Sequence, residues 1–351
     1  MIENVRVGVI GTGIGIAHID ALRQIPGAVV VGVCSAQAER AKTIASRFDV
    51  PRATTDYHDF LGDGIDAVVI ATPPGLHAPI ALASVAAGKH VLCEKPLAAT
   101  LDQARSLRDA ATRAGVVHMV NHQQRFAPAN VRAKALVESG YLGELALADA
   151  YFALNPLDYL RAPVASTSKA DWFTDSAQGG GMLFGSVGPH LVDLLLWYGG
   201  TIAEVSARAA VTRRDIPLGG GTVARAVSAE DVFVVLARFA HGGLATIRGI
   251  PVAYHGGGTA VTLHGTSGSL DIGYGRLRGA TAADADLSPL DLPADALPER
   301  VALMARFIAA IRDGQPAPTP NFTDGVRVQA VLDASRKAAR TGTWIAVEST
   351  E

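Results

Sequence analysis

Short runs of valine and isoleucine, each followed by a helical spacing, set the pattern of the first third of the chain. Arg6–Ile10, Ala28–Cys34, Ala67–Ala71, His90–Cys93 and Val116–Val120 are apolar without polar alternation. Strands of that kind are buried on both faces, as in a parallel sheet covered by helices. The segments between them supply the helices: His18–Ile25, with Ile19, Leu22 and Ile25 on one face, then Ala38–Phe48, His77–Ala87 and Leu101–Ala114. Such strand–helix repetition predicts a right-handed, doubly wound α/β domain over residues 1–121.

Beyond Asn121 the pattern changes. A helix, Ala127–Ser139, stops at Gly140. Longer strand-like segments follow at Leu145–Ala153, Ile202–Val211, Asp231–Phe239, Leu244–Ile250 and Val261–Leu263. Turns such as His241-Gly242-Gly243 join several of them as hairpins. A strongly helical stretch, Pro189–Trp197, lies between them. Helices are expected at Leu303–Ile311 and Val326–Thr341, with an edge strand at Trp344–Val347. Gly219–Ala226 and Arg278–Leu287 read as surface loops. The expected class is α/β: an N-terminal doubly wound (Rossmann) parallel sheet, then a C-terminal α+β domain with a large, mostly antiparallel sheet. That second domain spans residues 122–351, and its last helix is a candidate to pack back on the first.

Composition removes several classes of function. With 31 basic against 33 acidic side chains the chain carries a formal charge of -2, so it offers no footprint for nucleic acid or an anionic membrane. At 49% hydrophobic and 18% charged residues it has a core to bury. No apolar stretch approaches the ~18–20 residues that span a bilayer. The N-terminus runs into a strand pattern without the basic and apolar regions of a signal peptide, and Cys34 and Cys93 sit inside apolar runs. A cytoplasmic protein is expected. A mostly antiparallel sheet with helices on one face leaves the other to be covered, so a homodimer or homotetramer is expected through it.

The residues that carry chemistry cluster at strand ends. Gly11-Thr12-Gly13-Ile14-Gly15 stands after the first strand and before a helix. Glycines there let backbone approach a pyrophosphate, and the helix N-terminus offers N–H donors. The spacing is one residue shorter than the usual G-x-G-x-x-G. After the second strand, where a carboxylate would hold a ribose 2′-hydroxyl, the chain has Ser35 and, five residues on, Arg40. Hydroxyl and guanidinium suit a 2′-phosphate, so NADP is expected over NAD. The other reading of the pair is a helix cap at Ser35 and an exposed Arg40. Lys95, one of six lysines, ends the fourth strand, at the sheet edge where ligands bind. It is either a donor and proton carrier for a substrate hydroxyl or half of a surface pair with Glu94. Gly179–Asp193 is a glycine-rich loop opening an apolar helix, with His190 in the first turn as a proton carrier or a core residue. Trp172-Phe173 is either an apolar wall for a sugar face or core packing. His118 and His122 have no ligand spacing, and no catalytic metal is expected.

Several of these motifs resemble those of the Gfo/Idh/MocA oxidoreductases, NAD(P)-dependent enzymes acting mostly on sugars, cyclitols and their derivatives. They are the glycine fingerprint, Ala71-Thr72-Pro73-Pro74-Gly75-Leu76-His77, the Ala87–Pro96 stretch ending in Glu94-Lys95-Pro96, and Gly179–His190. His264–Leu270 is similar to a turn motif of the family's second domain. The resemblance implies that Gly11, Thr12, Gly13, Ile14, Gly15, Thr72, Pro73, His77, Glu94 and Asn121 line the cofactor. It implies that Lys95 stands near both nicotinamide and substrate, and that His190 is the general acid/base. Asn121 and Arg125 fall where an N-x-x-x-R-F element faces substrate. The family's D-x-G-x-H aspartate falls on Ser186, which can neither accept a proton nor carry a charge there.

The activity implied is reversible hydride transfer between nicotinamide and a secondary alcohol or carbonyl of a sugar-like molecule. His190 would exchange the hydroxyl proton, and Lys95 would stabilise the developing alkoxide. Two other readings stand beside it: an NAD-dependent redox glycoside hydrolase, and a non-catalytic NAD(P)-binding regulator, which Ser186 keeps open.

Overall fold

The structure, a computed structural model, describes residues 3–153, 175–176, 180–212, 227–250 and 258–350. Its first sheet contains β1 (Val5–Ile10), β2 (Ala28–Cys34), β3 (Arg52–Thr54), β4 (Ala67–Ile70), β5 (His90–Cys93) and β6 (His118–Val120). All neighbours are parallel, in the order β3-β2-β1-β4-β5-β6. That order is the dinucleotide-binding arrangement, with its reversal point between β1 and β4. Every residue of the central strand β4 is buried, which is why its sequence shows no polar alternation. Helices α1 (Gly15–Leu22), α2 (Ala38–Phe48), α3 (His77–Ala86) and α4 (Leu101–Ala114) make the crossovers. α1 stops three residues before the expected Ile25, because Pro26 disfavours helical backbone at the residue before it.

The chain divides into two compact units, residues 1–123 with 297–329 and residues 124–296 with 330–351. The first therefore takes a segment from within the expected 122–351 domain. Helix α7 (Glu299–Arg312) packs against α1 and β1, and Met304, Phe307 and Ile308 on it are buried. The last helix, α8 (Phe322–Thr341), contributes residues to both units.

In the second unit, nine strands among the described residues form one sheet: β7 (Leu145–Ala153), β8 (Ile202–Ala210), β9 (Val232–Phe239), β10 (Leu244–Ile250), β11 (Gly258–Gly265), β12 (Gly268–Gly273), β13 (Arg276–Thr281), β14 (Ser288–Pro289) and β15 (Ile345–Ala346). Their order is β14-β13-β12-β11-β7-β10-β9-β8-β15, and only β7 and β10 run parallel. Part of the expected Arg278–Leu287 loop is strand. Asp271 on β12 faces Arg278 on β13 and accepts hydrogen bonds from it, so the opposed charges pair the two strands. The other expected loop, Gly219–Ala226, lies outside the described residues. α5 (Pro128–Glu138) lies against β12 and β13, and α6 (Gly188–Gly199) against β7 and β10. On the other face, Leu147, Val234, Leu236 and Leu244 are exposed.

Candidate active site

In the first unit, the expected cofactor residues stand at the C-terminal edge of the parallel sheet. Gly11 has φ +103, and a Cβ there would lie 2.3 Å from the Ala71 carbonyl oxygen, so only glycine fits. A Cβ on Gly13 would meet nothing within 4 Å, leaving that backbone open to a ligand. Gly15 opens α1 beside Val9, and no side chain caps the helix at Ile14. Even with one residue fewer, the turn keeps a tight bend, an open backbone and close helix–strand packing.

At the end of β2 the donors run in one direction. Arg40 gives Nε–H to Thr12 Oγ1 and Nη2–H to the Thr12 carbonyl, both at 2.8 Å. Thr12 Oγ1 donates to Ser35 Oγ at 3.0 Å. Ser35 Oγ also accepts from the Gln37 amide at 3.4 Å, so both of these bonds leave its own proton uncommitted. An anion would meet hydroxyl and guanidinium there, with no carboxylate on Ser35 or Arg40 to repel it.

His77 has no solvent exposure. Its Nδ1 lies 2.7 Å from the Pro96 carbonyl and its Nε2 2.9 Å from the Thr72 carbonyl. Burial lowers its pKa, against the pull of both carbonyls. The ring thus stands between the turn after β4 and the turn after β5, and in its neutral form it donates to one of the two carbonyls.

Glu94 is the hub of this edge. Its Oε1 accepts from His18 Nε2 at 2.9 Å and Asn121 Nδ2 at 2.6 Å, and Oε2 accepts from the Lys95 amide at 3.1 Å. Arg300 Nη1 stands 3.9 Å away. Burial opposes the charge, but the His18 hydrogen bond and the cations of Lys95 and Arg300 hold the carboxyl well below its ordinary range. Thr72 Oγ1 and Asn121 Oδ1 are buried without a hydrogen-bond partner. These two orphaned polar atoms and the bare Gly13 backbone fit a nicotinamide dinucleotide along this edge. Lys95 follows Glu94 at the exit of β5 and is half-buried.

In the second unit, the residues form a different arrangement. A π-helical turn, Met182–Ser186, leads into α6. Glu230 accepts from the Leu183 and Phe184 amides at 3.0 and 3.2 Å and so caps that turn. Burial raises the Glu230 pKa. Ser186 ends the turn half-buried, Pro189 takes the first turn of α6, and His190 is buried beside it. Arg125 grips Asp193 with both prongs, Nε to Oδ2 at 2.9 Å and Nη2 to Oδ1 at 2.6 Å, and lies 5.7 Å over Trp197. The guanidinium expected at the substrate is thus engaged with α6. Trp172 lies outside the described residues.

Sequence reasoning did not identify His18, Arg300 or Glu230. His18 sits among the apolar positions of α1, and only a histidine within that buried stripe marked it. Among the described residues no group of three or more His, Cys, Asp or Glu could hold a metal, and no helix could cross a membrane.

Comparison with known proteins follows the same division. An oxidoreductase family profile with an NAD-binding Rossmann fold, GFO_IDH_MocA, matches residues 5–122, and the GFO/IDH/MocA C-terminal domain matches residues 130–271. The levoglucosan dehydrogenase of Pseudarthrobacter phenanthrenivorans is 31% identical over 98% of each chain. The 1,5-anhydro-D-fructose reductase of Ensifer adhaerens is 30% identical over 92% of each. A solved levoglucosan dehydrogenase in complex with NADH and L-sorbose superposes with a TM-score of 0.88 at 27% identity, covering 99% of this chain and 100% of that one.

Proposed function

The chain belongs to the Gfo/Idh/MocA family of NAD-binding oxidoreductases, and we propose that it moves hydride between nicotinamide and a secondary alcohol or carbonyl carbon of a sugar or cyclitol. It is an NAD(P)-dependent dehydrogenase or reductase. One observation carries the reading: bare Gly13 backbone, orphaned Thr72 and Asn121 oxygens and Lys95 stand along one edge of the parallel sheet. When bound, the nicotinamide supplies the hydride acceptor or donor at C4.

The chain's own residues supply the rest. Lys95 hydrogen-bonds the reacting oxygen and stabilises its developing charge. His190 takes or returns the hydroxyl proton, a task for which an imidazole titrates in the right range. Ser186 cannot share that proton, so His190 has no help from that position. Asn121 presents Oδ1 to a ligand while its Nδ2 is given to Glu94. Trp172 is assigned the apolar wall of the sugar site. Arg125 serves by holding α6, which carries His190, through Asp193.

The Thr12–Ser35–Arg40 donors favour NADP over NAD. The exposed face bearing Leu147, Val234, Leu236 and Leu244 is assigned to a second copy of the chain, as a homodimer or homotetramer. Monomers by light scattering at micromolar concentration would refute that. Cys34 and Cys93 are free and buried, in keeping with a cytoplasmic enzyme.

A substrate panel tests the activity. Levoglucosan, 1,5-anhydro-D-fructose, simple hexoses and cyclitols are offered with each cofactor in the matching redox state, and reduced nicotinamide is followed by absorbance. Turnover of at least one sugar is expected. Tight cofactor binding with no turnover anywhere on the panel would favour a regulatory protein.

A further inference from the structure

We propose that His18 is a positioning residue for Lys95, acting through Glu94. This rests on the reading of Lys95 as the group that meets the reacting oxygen. His18 has no solvent exposure and cannot itself touch a ligand. The path from it is short. The Glu94 amide makes the last ladder bond of its strand edge, to the Ile70 carbonyl at 2.9 Å. The next amide, of Lys95, is taken by the Glu94 carboxylate at 3.1 Å. The orientation of that carboxylate therefore sets the backbone from which the Lys95 side chain springs. His18 and Asn121 hold its other oxygen.

The protonation of the pair is determined by their contacts. Glu94 is ionised and can only accept, so His18 carries a proton on Nε2. Burial lowers the His18 pKa and favours the neutral ring, whose Nδ1 is then a bare acceptor, buried without a partner. A residue serving packing alone would be leucine or methionine, which leave no buried acceptor. The orphaned nitrogen is explained if the chain needs a donor aimed at Glu94 from α1. The groups facing Glu94 are His18 from α1, His77 from α3 and Arg300 from α7, with Lys95 and Cys93 beside it on its own segment. His18 is the member of this set that places a ring N–H directly on the carboxylate.

The test uses the full chain with His18→Leu and His18→Gln. At neutral pH, nitrogen NMR of His18 in the parent should show a neutral ring protonated on Nε2. A ring protonated on Nδ1 alone overturns the proposal. In His18→Leu the Lys95 amide should lose its protection from hydrogen exchange. Turnover of the panel substrate should fall by about ten- to hundredfold through misplacement, with NADPH affinity little changed. Without the His18 donor, burial pushes the Glu94 carboxyl up, so the rate should also gain an acidic limb. His18→Gln, which keeps an N–H donor, should restore both protection and rate. A folded His18→Leu protein with the parental rate and pH profile overturns the proposal, as does a folded His18→Gln protein as slow as His18→Leu. If the panel yields no substrate, the reading of Lys95 fails, while the ring and amide measurements still decide whether His18 sets Glu94.

Discussion

Two buried carboxylates, Glu94 in the first unit and Asp193 in the second, meet similar surroundings and respond in opposite directions. Both are nearly excluded from water, and both hold a basic partner. Glu94 is pulled well below its ordinary pKa, whereas burial moves Asp193 up despite the grip of Arg125. Glu94 collects a ring N–H, an amide side chain and a backbone N–H, with two cations near. At Asp193 the loss of hydration outweighs the fork of Arg125. The first carboxylate organises a binding edge. The second fastens a helix.

The proposed roles set the largest expected effects in the second unit. His190→Ala should lower kcat by roughly 10²–10⁴-fold, the loss expected for a general acid/base, with cofactor affinity nearly unchanged. Full turnover in that variant would move the proton carrier elsewhere and leave α6 a structural helix. Next comes Arg125→Met, which strands Asp193 in the interior without its cation. Unfolding in urea should show a loss of about 3–5 kcal/mol. Adding Asp193→Leu should recover most of it, since two apolar residues remove the stranded charge. A double variant no more stable than Arg125→Met would mean that the pair does more than satisfy itself.

How much of this was legible depended on sequence distance. β4 could be read from Ala67–Ile70 alone, because a strand buried on both faces needs no partner to be apolar. β3 could not: Arg52–Thr54 is three residues long and lies at the sheet edge, where exposure removes the apolar signal. The β12–β13 hairpin was hidden by glycine and arginine, and only the facing of Asp271 and Arg278 gives those residues a reason to be strand. The glycine turn, Ser35, Arg40 and Lys95 could be found because strand ends in an alternating α/β pattern are themselves readable. The connections were not: His18 reaches Glu94 across 76 residues, and Arg125 reaches Asp193 across 68. Local spacing carries no trace of such pairs. The resemblance marked Arg125 as facing substrate, and its fork to Asp193 on α6 had no trace in the sequence.

The two units should also differ in their response to acid. His18, His77, His90 and His118, all in the first unit, are held by burial below the ordinary histidine pKa. Such groups favour the native state above the unfolded pKa of about 6.5, and that stability is lost as pH falls toward the native value. For His118, pushed down to about 4, the window runs from about 6.5 to 4 and the loss is on the order of 3 kcal/mol. Glu94 adds to the loss only below its ordinary range, and Asp193 works the other way, favouring the native state as it protonates. Hydrogen exchange in this window should therefore show the parallel sheet opening before the strands around α6. His118 Nδ1 accepts the Phe322 amide at 3.2 Å, and His118→Asn keeps an acceptor there without titrating. That variant should flatten the pH dependence, and an unchanged profile would assign the acid response to the other histidines.

The smallest expected effect is also the most selective, and it falls at the far end of the same sheet edge from Glu94. Arg40 is held in place by Thr12 before any ligand arrives, with both bonds at 2.8 Å, so little of its freedom remains to be lost on binding. A 2′-phosphate would meet the Ser35 hydroxyl and the remaining guanidinium N–H groups, whereas a bare 2′-hydroxyl needs neither charge. NADPH should accordingly bind more tightly than NADH. Arg40→Ala should weaken NADPH by about 1.5–3 kcal/mol, the range for a hydrogen bond to a charged group, and leave NADH nearly untouched. Thr12→Val, which keeps the guanidinium but removes its hydroxyl anchor, should fall between parent and Arg40→Ala. Fluorescence titration of the two reduced cofactors against the three proteins decides it. Equal affinities in the parent would show that Arg40 merely caps the glycine turn, and that the hydroxyl-lined end of this edge does not choose between the two dinucleotides.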